Sequence, residues 1–247
     1  MGYIFLGDLS WVEAREVIRD LDFVILPTGS FEQHGPHLPL LTDSIRADEI
    51  SRRLAEKAGD LGLKIGLLPT LKYGVSEHHM NFPGTITIRP EIYIAFIEDI
   101  GASLSRHGVR RLAIVNFHGG NNSPLQVASS IIRARHGLRV YVIPWTRYAR
   151  EFIIEYLKPD PSWGHACEHE TSMIMAFRPE LVKGDKIVKP KISKRPELDT
   201  FLYFNEFTDT GGIGDPTKAD PKKAMIIVEK ANEKIARMML EIARSNL

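Results

Sequence analysis

Short unbroken apolar runs alternate along this chain with longer stretches in which apolar residues recur every three or four positions. Asp22–Pro27 is apolar after its first residue and is closed by Pro27 and Gly29, which predicts a buried strand. Asp43 or Ser44 is the predicted cap of a helix running to about Lys57, with Ile45, Ile50 and Leu54 at helical spacing. Leu63–Leu68 reads as a second strand. A long helix opens at Arg89-Pro90-Glu91, where Pro90 suits the first turn, and continues through His107 to a stop at Gly108. Arg111–Phe117 is the clearest strand of the chain. Asn122 or Ser123, followed by Pro124, starts the next helix to about His136, and Leu138–Ile143 returns as a strand. Met173–Phe177 continues a helix opened by the polar segment before it, and a last helix opens at Asp220-Pro221 and runs to the C-terminus. The stretches 145–165 and 200–216 read as loops. Strands separated by helices predict an α/β fold with a mostly parallel sheet covered on both faces. Without repeats, low-complexity tracts or linkers, residues 1–247 read as a single domain.

Composition narrows the functional classes. A chain of 247 residues, 43% hydrophobic and 26% charged, is long enough to bury a substantial core without staples. A formal net charge of +1 gives no sign of a nucleic-acid or membrane partner. The densest basic cluster, Lys183–Lys194, reads as a solvated surface. There is no run of 18 apolar residues, and the N-terminus lacks a basic-then-apolar signal. The single cysteine, Cys167, excludes an intrachain disulfide and fits a reducing compartment, so the expected location is cytoplasmic. Cys167 itself reads as a small core thiol.

The chemistry concentrates in a few places. Glu32, His34, His37 and Asp43 lie within a glycine- and proline-rich segment directly after the first strand. Glu32 and His34 are two positions apart, so in extended backbone both leave the same face, and Asp43 can fold back onto them. Carboxylates with imidazoles form a ligand set suited to zinc, manganese or iron. His118-Gly119-Gly120-Asn121-Asn122 follows the Arg111–Phe117 strand, and ligands in parallel sheets bind outside the carboxyl ends of strands. Its glycines let backbone N–H groups approach a ligand closely. A third cluster, Gly164 to Ser172, supplies His165, Glu168, His169 and Glu170 at a helix start. The loop Ser76–Thr85, with His78 and His79, offers substrate contacts or supporting bonds; His37 and His79 are candidate substrate-binding residues. Gly211–Pro216 reads as a flexible loop.

Taken in order, four segments carry a resemblance to a known family: Gly29 to Asp43, Phe82-Pro83-Gly84-Thr85, Asn116-Phe117-His118-Gly119-Gly120-Asn121, and His165 to Ser172. Together they resemble the creatininase (creatinine amidohydrolase) family. The resemblance implies a three-layer α/β/α sandwich, a two-metal site and a homohexamer. Carried over, Glu32, Asp43 and His118 hold one metal, His34 and Asp43 hold the second with Asp43 as the bridge, and His165 is the general acid/base. Creatininase itself has Tyr-Glu after the ligand histidine, and that glutamate completes its second site. This chain has Gly119-Gly120 there, so Glu170, with Glu168 behind it, is the candidate for the missing ligand and a candidate catalytic group. Trp145 lines up with one substrate-covering tryptophan of creatininase, and Trp163 lies two residues out of register with the other. Gly119, Gly120, Trp145 and Trp163 are therefore candidate substrate-binding residues.

The expected function is a metal-dependent hydrolase of a small-molecule amide or cyclic amide, with two divalent ions as cofactors: Zn2+, or Mn2+ or Fe2+. A water bridging two dications loses its proton near neutral pH and becomes a nucleophile, while His165 passes the proton to the leaving nitrogen. Within the family, other substrates compete: the formamide of a ribosylaminopyrimidine phosphate, a mycofactocin precursor peptide, and 3-dehydro-scyllo-inosose opened at a C–C bond. A non-catalytic metal-stabilised binding protein is the alternative of a different class, and an iron oxygenase a weaker one.

Overall fold

Two apolar runs lie side by side at the centre of the molecule because neither has a polar face to turn toward water. In the computed structural model they are β2 (Phe23–Thr28) and β4 (Arg111–Asn116), and every residue of both is buried. The structure describes residues 2–194, 196, 198 and 200–245. The other elements are β1 (Ile4–Phe5), α1 (Trp11–Val17), α2 (Thr42–Asp60), β3 (Ile65–Leu67), α3 (Pro90–Arg106), α4 (Asn122–His136), β5 (Arg139–Pro144), α5 (Trp145–Leu157), α6 (Glu168–Phe177) and α7 (Pro221–Ser245). The five strands form one sheet in the order β1-β3-β2-β4-β5, and every neighbouring pair is parallel.

Helices cover both faces, as the alternating pattern predicts. On one side, Ile50 and Leu54 of α2 pack with Ile153 of α5, Met173 of α6 and Ile227 of α7. On the other, Tyr93 and Ile97 of α3 meet Leu125 and Ile132 of α4. The chain leaves β2 through α2 to reach β3 on one flank, then crosses through α3 to β4 on the other flank of β2. The carboxyl ends of β2 and β4 therefore form the point where the winding reverses, the place at which open parallel sheets bind ligands. Thr28 is registered opposite Asn116, and its hydroxyl donates to the Asn116 side-chain carbonyl at 3.0 Å. The two loops that carry the candidate ligands thus start from a fixed pair.

The structure corrects several sequence expectations. Neither Asp43 nor Ser44 caps α2: the helix begins at Thr42 with Leu41 in the cap position. Asp43 lies in the first turn, its carboxylate engaged by Ser30 and Arg46 instead of the helix end. The first part of 145–165 is not a loop but α5, whose buried residues Trp145, Ala149, Ile153 and Leu157 recur every fourth position. That spacing is in the sequence but starts immediately after β5, without a turn to announce it. β1 and α1, the latter opened by a Ser10–Glu13 capping box, were also unforeseen. Gly211–Pro216 is buried, not a mobile surface loop. Ile213 exchanges backbone hydrogen bonds with His165 at 2.7 and 3.3 Å. The last helix is described to Ser245, and the two residues after it lie outside the described residues. Among the described residues no helix is long and apolar enough to cross a membrane.

Candidate metal centre

The β2–α2 loop has to bring its polar side chains under the sheet rim, and close backbone packing makes that possible. A Cβ at Gly29 would stand 2.6 Å from the Ser44 backbone nitrogen, so a glycine lets the first turn of α2 press against the strand end. That contact carries Asp43 to the tips of Glu32 and His34, and β4 delivers His118 from the adjacent strand.

Hydrogen bonds define which ring nitrogens face the centre. His118 Nε2 donates to the Val75 carbonyl at 2.8 Å, and His34 Nδ1 donates to the Glu32 carbonyl at 3.2 Å. A carbonyl only accepts, so in the neutral ring the other nitrogen of each is a bare lone pair. Those lone pairs point at carboxylates. His118 Nδ1 lies 3.1 Å from Glu32 Oε1 and 3.3 Å from Asp43 Oδ2, and His34 Nε2 lies 3.4 Å from Asp43 Oδ1. Acceptor facing acceptor is repulsive unless a proton or a metal cation lies between them. Both Glu32 carboxylate oxygens and His34 Nε2 are buried without a hydrogen-bond partner, at a cost of about 1–3 kcal/mol each if left unsatisfied. The donor set and its orphaned atoms fit divalent metal ions.

Two overlapping groups offer ligand atoms within 4.8 Å of one another: Glu32, Asp43 and His118, and His34, Asp43 and Glu170. They share Asp43. A further grouping joins Glu32 and His34 to His165 within the same limit. Burial opposes charge on each of these groups, and for all but His165 the neighbouring opposite charges win. It opposes protonation of His34, yet Asp43, Glu170 and Glu32 raise that ring to about 9. His118 is likewise raised, against burial, by Glu32 and Asp43. Burial would raise Glu32, Asp43 and Glu170, yet neighbouring histidines and, for Asp43 and Glu170, Arg46 hold all three low.

Glu168 and Glu170 separate cleanly. Glu168 accepts backbone N–H groups of Asp160 at 2.6 Å and Asp215 at 2.8 Å, tying two loops together away from the cluster. Glu170 Oε1 faces the cluster and accepts from Arg46 at 2.6 Å, while its Oε2 accepts from the Ala166 N–H at 2.6 Å. Ala166 adopts φ of 50°, a conformation disfavoured for a residue with a Cβ, and thereby aims that N–H at Glu170. Gly120 cannot carry a glutamate in this backbone: a Cβ there would stand 2.1 Å from the Val75 carbonyl that holds His118.

The remaining sequence candidates are dispersed. His165 Nε2 donates to the Gln33 carbonyl at 2.8 Å, and its Nδ1 faces Glu32 Oε1 at 3.8 Å. Burial pushes His165 down to about 4. His79 accepts at Nδ1 from Gln33 Nε2 at 2.8 Å, and its Nε2 lies 3.4 Å from Glu32 Oε1 without a hydrogen bond between them. His37 turns away and bonds the Thr171 hydroxyl at 2.8 Å. Trp145, expected to cover substrate, is fully buried in the core, stacked on Phe117 and donating to Asn232 at 2.9 Å. The core needs its bulk where β5 turns into α5. Trp163 is half-buried edge-on against His169. Cys167 is buried, its thiol raised by burial and by Glu170, in keeping with a core role. Sequence reasoning missed Arg46, three residues after Asp43 on α2, and Gln33 between the two ligand residues. The spacing of Arg46 on a helix was the available signal.

Buried neutral histidines tie stability to pH. Burial lowers His37, His165 and His169 each to about 4, against about 6.5 in an unfolded chain. Between those values the unfolded chain binds protons that the native fold refuses, so stability falls as pH drops from about 6.5 toward 4. Urea midpoints measured across that window are expected to decline steadily, and His37→Gln to flatten the slope. A pH-independent midpoint contradicts the assignment.

A cleft of about 240 Å3 opens onto the cluster, lined by Asp43, Asn116, His118, Gly119, His165 and Glu170, among others. Comparison with known proteins gives the family. The family model described as "Creatininase: Creatinine amidohydrolase" matches residues 7–239. The creatinine amidohydrolase of Pseudomonas putida is 30% identical over 256 aligned positions, covering 96% of each chain. The mycofactocin precursor peptide peptidase of Mycobacterium tuberculosis (strain H37Rv) is 29% identical, covering 95% of this chain and 92% of that one. A solved structure named "Creatininase Mn" superposes with a TM-score of 0.83 at 27% identity, covering 97% of this chain and 98% of the other.

Proposed function

The chain belongs to the creatininase family, and from that premise we propose that it hydrolyses a C–N bond in a small-molecule amide or cyclic amide, using two divalent ions. The observation that carries this reading is Asp43, whose two oxygens each face the lone pair of a different histidine at 3.3 and 3.4 Å. One carboxylate thus serves both ligand groups, with Glu32 and His118 on one side and His34 and Glu170 on the other. When bound, the ion pair supplies an acidified water as nucleophile at neutral pH and polarises the carbonyl under attack. The chain's own residues do the rest. Val75 and the Glu32 carbonyl orient the two ligand imidazoles. Arg46 steadies Asp43 and Glu170 and offsets part of their charge. His165, unprotonated at neutral pH, takes a proton at Nδ1 and returns it to the leaving nitrogen.

The size of the cleft supports a small substrate: about 240 Å3 lies below the roughly 300–1,000 Å3 usual for drug-sized ligands. In this reading the protein works in the cytoplasm, as its single cysteine suggests, and as a homohexamer, carried from the family resemblance. The test is metal analysis of the purified chain followed by a hydrolysis panel: creatinine, a ribosylaminopyrimidine formamide phosphate, a mycofactocin-type peptide and 3-dehydro-scyllo-inosose. The expected result is two equivalents of Zn2+, Mn2+ or Fe2+ and turnover of an amide, abolished by a chelator and restored by metal. Bound metal with no turnover across the panel favours a binding protein, and full turnover by metal-free protein refutes the reading.

A further inference from the structure

One part of the cleft wall presents hydrogen-bond donors outward, because its acceptors are already engaged inward. The Asn122 side-chain oxygen accepts from Asn116 Nδ2 at 2.9 Å, which leaves the Asn122 amide N–H groups for the cleft. The Thr146 hydroxyl oxygen takes a long hydrogen bond from Arg46 Nη2 at 3.4 Å, which leaves its proton free to donate. Beside them Arg147, in the first turn of α5, is exposed and lines the same cleft. No carboxylate among the described residues pairs with Arg147. Asp43 and Glu170 are the only carboxylates among the lining residues, and both belong to the ligand groups. With two dications in place, three ligand carboxylates face those ions and the buried Arg46 guanidinium, so the floor of the cleft is positive as well.

We propose that Asn122, Thr146 and Arg147 form an oxyanion subsite, and that the substrate is an amide carrying a carboxylate or a phosphate beside its scissile bond. This rests on the hydrolase reading above and deepens it by naming the substrate's charge. A neutral cyclic amide brings no charge to Arg147, whose exposed guanidinium then keeps water as its partner, whereas a compact oxyanion can accept from all three groups. Charge-assisted bonds of this kind are about twice as strong as neutral ones and shorter. Hydrolysis of such an amide adds water across the C–N bond and releases a carboxylic acid and the free amine, while the oxyanion holds the fragment that bears it against α5.

The experiment is calorimetric titration of the metal-loaded, full-length protein with two matched pairs of probes. N-formylglycine is set against its neutral amide, N-formylglycinamide, and N-formylphosphoethanolamine against N-formylethanolamine. At least one anionic probe is expected to bind about ten- to a hundred-fold tighter than its neutral partner, the span of one or two charge-assisted hydrogen bonds. Arg147→Gln should bring that ratio close to one, and Arg147→Glu should invert it. The pair with the larger ratio distinguishes a carboxylate from a phosphate substrate. Equal binding within both pairs, or a preference that survives Arg147→Gln, overturns the proposal. Formate release, followed in the same samples, separates the two readings. Charge-selective, Arg147-dependent binding without turnover leaves the subsite standing and counts against the hydrolase reading. Turnover without charge preference removes the subsite alone.

Discussion

Asp43→Asn is expected to release both divalent ions and to lower hydrolysis by about a thousand-fold or more, the rate equivalent of losing several kcal/mol of metal-supplied stabilisation. The argument is geometric. Asp43 Oδ1 lies 3.4 Å from His34 Nε2, and Oδ2 lies 3.3 Å from His118 Nδ1. An asparagine keeps the volume but turns one oxygen into an N–H donor with no charge. Whichever way the amide faces, one histidine lone pair meets a donor instead of sharing a cation with an anionic oxygen. The substitution also removes charge from a pocket in which Arg46 Nη1 is bonded to Asp43 at 2.9 Å and to Glu170 at 2.6 Å. Arg46 keeps Glu170, so the variant is expected to fold, and a thermal melt run beside the metal analysis checks this. Two equivalents of metal and undiminished turnover in a folded Asp43→Asn protein would remove the bridge, and the two-metal reading with it.

The second large effect belongs to His165. His165→Gln is expected to retain its metal while kcat falls roughly 10²–10⁴-fold, the usual worth of a positioned acid/base. The backbone carbonyl of Gln33 fixes the His165 Nε2–H at 2.8 Å, which leaves Nδ1 as the working nitrogen on the cluster side. Burial lowers the ring to about 4, so at neutral pH it stands ready to accept a proton. His165 also falls in a grouping with Glu32 and His34. A loss of one metal equivalent in the variant would make it a ligand, and an unchanged kcat would remove it from the proton transfer. Metal content and kcat, read together, separate the three outcomes.

Legibility in the sequence followed the range of each interaction. The unbroken apolar runs at Asp22–Pro27 and Arg111–Phe117 announced strands buried on both faces, and β2 and β4 are fully buried. Pro90 and Gly108 bracketed α3 because one suits a first helical turn and the other takes the left-handed turn after the helix, at φ of 91°. α5 was missed although its buried positions are regularly spaced, since no turn separates it from β5. At the site, Glu32 and His34 were readable as neighbours because a spacing of two places them on one face. Trp145 misled for the opposite reason: alignment with a relative gives a position along the chain, not the direction in which an indole points. In this fold it points into the core.

By itself, the sequence determined the alternating α/β plan, the residue types able to bind metal and the family to which they belong, because each depends on local pattern or on short contiguous motifs. Telling the surroundings of Glu170 from those of Glu168 needed tertiary structure: Asp160 and, from 47 residues further along, Asp215 engage both oxygens of Glu168. So did Arg46, and the donor-lined wall of Asn122, Thr146 and Arg147. Which atom faces a cavity depends on the bonds its other atoms have already made. Those bonds come from partners far away in sequence, whose meeting is decided only when the sheet and its helices pack.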